Sequence, residues 1–113
     1  MRSLYAISLM LTILSAASAA GQIDSSDVNL AYTIASVIMD SGQGIDAAKP
    51  WLDKDSFSAL SSIGYCYERL KDWKYAKDYY ELYLTRAKKG SSGYNFAVES
   101  LDYVKQQLFM EEK

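Results

Sequence analysis

Six tyrosines and a tryptophan fall within twenty-five residues, LSSIGYCYERLKDWKYAKDYYELYL at 60–84. Side chains of this kind can anchor a partner, box in a cation, or fill the space between helices. Groups for reaction chemistry are scarce by comparison. The chain has no histidine, which removes the commonest general base and the commonest transition-metal ligand. Its one cysteine, Cys66, forms neither an internal disulfide nor a zinc site by itself. It lies inside a dense apolar segment, so a buried, inert thiol is expected. Asp53 with Asp55, and Glu111 with Glu112, are acidic pairs of the sort any surface carries. Gly42-Gln43-Gly44 lacks the strand and the following motif that a nucleotide loop needs. With no nucleophile–base pair and no metal-ligand spacing, no catalytic residue, cofactor or metal is expected, and binding is the remaining class.

The elements that position these groups begin after residue 20. The 113 residues suit one domain, half of them apolar and 23% charged. The formal charge is −2 and the only basic run is Lys88-Lys89, which argues against nucleic acid as a partner. Residues 1–20, MRSLYAISLMLTILSAASAA, have the order of a bacterial secretory signal peptide. Arg2 is the positive start, Leu4 to Leu14 the apolar core, and Ala17-Ser18-Ala19 the small-residue site, with cleavage after Ala19 or Ala20. The apolar run is well short of the ~20 residues of a membrane span. The expected mature chain, 21–113, is therefore periplasmic or secreted, without a membrane span. It carries eleven basic and fourteen acidic residues, a charge of −3.

The mature chain patterns as about five helices. Leu30, Ala31, Ile34, Ala35, Val37 and Ile38 mark a first one, with Asp24 to Asp27 as capping residues and Gly42 to Gly44 as its end. Ile45 to Leu52 is a shorter helical segment that Pro50 should break at Lys49 or kink. Asp55 or Ser56 can cap a helix with the stripe Phe57, Leu60, Ile63, Gly64, Tyr67 and Leu70. Lys71-Asp72 makes a turn, and Asp72 can cap the next helix, which carries Trp73, Ala76, Tyr80, Tyr83, Leu84 and Ala87 on one face. After Gly90, Ser91 or Ser92 starts a last helix with Tyr94, Ala97, Val98, Leu101, Val104 and Leu108 inward, and a polar end at 110–113 that should fray. Nothing alternates with period two for long, so the class is all-α with antiparallel helices.

Leu60, Ile63-Gly64, Tyr67, Ala76 and Tyr80, within the thirty-four residues 57–90, are spaced as in a tetratricopeptide repeat. The segment resembles that family. Tyr83 and Lys88 stand where the family usually has a small residue and proline. Residues 28–56 resemble a shortened, degenerate repeat, and 91–113 a capping helix. The resemblance implies a short right-handed solenoid of helix hairpins that binds a peptide or protein on the concave face of its first helices. Carried over by position, that face would hold Tyr32, Ser36, Ser61, Tyr65, Glu68, Arg69, Asn95 and Glu99. Only Arg69 and Asn95 suit the cationic clamp that some such domains use for acidic peptide ends, so that ligand is not expected. The implied function is an exported adaptor or scaffold. The alternatives are a small inhibitor or immunity-type protein, or a structural helical protein that self-associates. With so few repeats, burial should be marginal, and a partner or a second copy would supply the remainder. Tyr75 and Tyr79 form a second stripe, expected to pack between helices or, if uncovered, to serve association.

Overall fold

A computed structural model describes residues 11–16, 19 and 25–112, without the side chains of 25–29, 55 and 56. Arg2, Ala17 and Ser18, on which the signal-peptide expectation turns, lie outside the described residues, as do Asp24 and Lys113. Residues 11–16 are helical, and Leu14 is 1% exposed, with Ile13 beside it against the core.

The described residues are helical throughout, joined by turns, with no strand among them. Helix α1 is Ser25–Ser41, α2 is Ala59–Arg69, α3 is Trp73–Leu84 and α4 is Ser92–Glu111. Between α1 and α2 the chain winds as 3₁₀ helix, at Gly44–Asp53 and again at Asp55–Ser58. The expected break or kink at Pro50 is therefore replaced by a change of winding along the whole segment. Pro50 lies inside this segment, which keeps Ala48 fully buried. Ser58 stands at the start of α2 but its side chain makes no capping bond.

The α2–α3 turn is set by a Schellman motif. The Asp72 N–H donates to the Tyr67 carbonyl at 2.9 Å, and the Lys71 N–H to the Glu68 carbonyl at 3.0 Å. Lys71 takes the left-handed conformation, φ 61°, that this motif requires and that glycine usually supplies. Asp72 then caps α3 by accepting from the Tyr75 N–H, and Ser91 caps α4 by accepting from the Tyr94 N–H at 3.2 Å. Helix α4 stays helical through Glu111, past the point where its polar end was expected to fray.

Each helix packs mainly on its chain neighbour: α2 on α3, α3 on α4, and α1 on α2 and on the 3₁₀ segment. The core runs through Ile34, Ile38, Leu60, Ile63, Cys66, Ala76, Tyr80, Ala97 and Val104. Gly64 and Ala76 are both buried, but the atoms over Gly64 belong to Tyr79 and Tyr80. Two residues of the expected stripes are exposed instead, Val37 and Val98, because each lies at the edge of a stripe whose helix has neighbours on one side only. Tyr79 is core, stacked on Tyr67 at 5.6 Å, while Tyr75 touches the same ring at 5.2 Å and remains 41% exposed.

Arg86 ties the end of α3 back to the 3₁₀ segment. Its guanidinium donates to the carbonyls of Leu52 and Lys54 and lies 4.6 Å over the Phe57 ring, which itself stacks on Tyr83.

Candidate functional site

The sharpest convergence of polar and aromatic groups lies between α2 and α4, with α3 as its floor. Tyr65 and Glu68 share one face of α2, a turn apart, and both are half-buried. Phe96, 44% exposed on α4, meets the Tyr65 ring at 6.3 Å between centroids and the Tyr80 ring edge-on at 6.4 Å. Tyr80, fully buried on α3, donates its hydroxyl to the Glu68 carboxylate at 2.9 Å. Ser100 of α4 lies close enough to the same hydroxyl to oppose slightly the rise in its pKa that burial causes. The Tyr80–Glu68 bond thus joins α3 to α2, with Ser100 of α4 beside it. Further along α4, Tyr103 meets Trp73 edge-on at 5.9 Å and closes that end of the cleft.

The electrostatics follow from burial. Glu68 is held above the ordinary glutamate range because its carboxylate is partly desolvated; the Tyr80 hydroxyl and the nearby Arg69 charge pull the other way. Burial raises the Tyr80 hydroxyl far above the usual phenol range, and the Glu68 charge adds to this. Burial pushes the Cys66 thiol up to about 12, so it stays protonated and unreactive at neutral pH.

Of the residues carried over from the repeat pattern, Tyr65 meets α4 through Phe96, and Glu68 is tied to α3 through Tyr80. Ser61 lies one turn before Tyr65 on the same face of α2, half-buried, and Arg69 is exposed beside Glu68. Tyr32 and Ser36 are a turn apart and half-buried on α1, where the Ser36 hydroxyl donates to the Tyr32 carbonyl at 2.9 Å. Asn95 and Glu99 are exposed on the outward side of α4. On the flank of α4 beside Tyr65 and Trp73 lie Phe96, Ser100 and Tyr103. Sequence reasoning assigned Asn95 and Glu99 to the binding face of α4 and Ala97, Leu101 and Val104 to its core, and so passed over these three. Their own four- and three-residue spacing, one position before Ala97, Leu101 and Val104, is the signal that marks them.

No family model, no curated protein and no solved structure matches the chain. Among the described residues there is no cluster of acidic or sulfur ligands able to hold a metal ion. No helix among them is long and apolar enough to cross a membrane.

The buried tyrosines give the fold a pH limit. Burial raises Tyr67, Tyr79, Tyr80 and Tyr83 above the ordinary phenol value. In the unfolded chain they would ionise near pH ~10. The folded state holds its protons longer, so their contribution is whole below that pH and is lost as pH rises toward the folded values. An alkaline titration followed at 295 nm reads phenolate formation directly. The buried four should ionise in a cooperative step that coincides with loss of the helical circular dichroism signal. Ionisation of all tyrosines near pH ~10 with the helices intact would contradict it.

Proposed function

We propose that the protein is an exported interaction module that holds an extended protein segment in the cleft between α2 and α4. The observation that carries this reading is the Tyr65–Phe96 pair at the surface, directly beside the half-buried Glu68 carboxylate. Partly exposed aromatic rings held by packing are the groups that most often dominate protein interfaces. Glu68 has one oxygen on Tyr80 and is acceptor-only when ionised, so it favours a donor such as lysine, arginine or a backbone N–H on the partner.

The tetratricopeptide-like spacing of 57–90 supports this reading, since that architecture, a right-handed stack of hairpins, uses the same face of its first helices. Export is supported by the charged start, apolar run and small-residue site of 1–20.

The test is a library of random extended peptides panned against the chain. Peptides that bind should lose about tenfold or more in affinity to Tyr65→Ala and to Phe96→Ala, the effect of truncating a hot-spot ring. Recovered peptides should be enriched in lysine or arginine, and that enrichment should fade against Glu68→Gln. Binding untouched by both ring truncations would place the interaction elsewhere on the molecule and overturn the reading.

A further inference from the structure

Val98, Asp102, Lys105 and Phe109 recur along α4 at steps of four, three and four residues, and all four are exposed. Those steps are the spacing of a helix-pairing seam. The order along it is apolar, acidic, basic, apolar. It is symmetric about a point between Tyr103 and Val104, so running the helix in the opposite direction gives a complement of the pattern: acid opposite base, apolar opposite apolar.

We propose that α4 pairs antiparallel with α4 of a second copy of this chain, about a two-fold axis through that point. Each copy's Phe109 then lies over the other's Val98, and each copy's Asp102 faces the other's Lys105. Every contact occurs twice, as a two-fold interface requires. The opposed charges favour the antiparallel direction over the parallel one, in which Asp102 would meet Asp102. The neighbouring Gln106 and Met110, the latter 64% exposed, widen the strip; with Asp102, Lys105 and Phe109 they line an open depression on this face.

A second copy can reach this strip, which stays exposed from Val98 at 36% to Phe109 at 60%. The ion pairing also permits it. Lys105 is 4.0 Å from Glu81, but Glu81 has a nearer cation in Lys77 at 3.1 Å, and Lys105 remains half exposed. One helix laid on one helix buries less than the roughly 1,200 Å² of a standard interface, so the pairing belongs to the concentration-dependent class. It involves the flank of α4 away from Tyr65 and does not depend on the peptide-binding reading.

Analytical ultracentrifugation of the full chain tests it. A monomer–dimer equilibrium is expected in the range of about 10–500 μM. Asp102→Lys and Lys105→Asp, each alone, place like charges opposite one another twice and should weaken association about tenfold or more. The double variant Asp102→Lys/Lys105→Asp restores opposite signs and should recover dimerisation, although it does not restore the Lys105–Glu81 contact. Phe109→Ser should weaken association without any change of charge. Circular dichroism is recorded on each variant, and a variant that loses helix is replaced by Lys105→Glu or Asp102→Arg. A chain monomeric at every concentration overturns the proposal. So does association indifferent to the single reversals, or a folded double variant that fails to recover it.

Discussion

Tyr80→Ala is expected to cost about 3–5 kcal/mol, the largest loss from any single truncation in this chain. The ring is fully buried, packs over Gly64 and meets Phe96 edge-on, so its removal leaves a cavity where α2, α3 and α4 converge. It also strips Glu68 of its donor. A domain of this size has roughly 5–15 kcal/mol in total, so the variant should be partly unfolded at ambient temperature or melt far below the parent. Tyr80→Phe separates the two contributions. It keeps the ring and removes only the hydroxyl, and should cost about 1–3 kcal/mol through the partly desolvated carboxylate left without its donor. Urea denaturation followed by circular dichroism measures both. An unchanged midpoint for Tyr80→Ala would mean that α2 and α4 do not meet on this ring.

Gly64→Leu should damage the same contact, through overfilling where Tyr80→Ala empties. A Cβ at position 64 would meet two Tyr80 ring carbons at 3.2 Å and the Tyr79 Cβ at 3.4 Å. Both tyrosines are almost fully buried, and Tyr80 is further held by its bond to Glu68, so neither can swing aside cheaply. A leucine there forces α2 and α3 apart, at about 1–3 kcal/mol or more. Each kcal/mol lowers the melting temperature of such a domain by about 4–8 °C. Gly64→Ala makes the informative contrast. Alanine gains about 1 kcal/mol of helix propensity over glycine, which offsets the tight contact of one methyl group, so its melting temperature should stay within a few degrees of the parent. A leucine variant that melts with the alanine variant would show that the gap over Gly64 is larger than described.

The two variants also mark what the sequence carried. The stripe Leu60, Ile63, Gly64 and Tyr67, the caps at Asp72 and Ser91, and the inward set Ala97, Leu101 and Val104 were legible because each is a local pattern with a local cause: periodicity or an orphan N–H. The 3₁₀ winding of Gly44–Asp53 was not, since a proline in a helical pattern announces a departure from α-helix without specifying which one. Nor was the exposure of Val37 and Val98, because an apolar stripe does not reveal how many neighbours its helix has. The cleft was half legible. Tyr65 and Glu68 were singled out by position, but Phe96 and Ser100 face them only because α4 turns its flank toward α2. That rotation is decided by tertiary packing around Tyr80.

The neighbour-on-neighbour packing of the helices has a kinetic meaning. Because α3 lies on α2 and α4 on α3, much of the native contact set closes short loops. Chains dominated by local pairings of this kind reach the folded state in microseconds to milliseconds. The hairpin of α2 and α3, joined by the three residues Leu70 to Asp72 and sharing the densest packing, is the natural nucleus, and α4 can add to it directly. The 3₁₀ segment is held by weaker hydrogen bonds and by the Arg86 contacts to Leu52 and Lys54. Its amides should therefore open first, so hydrogen exchange will grade from the N-terminal side inward as a sequence of partial openings below the global one.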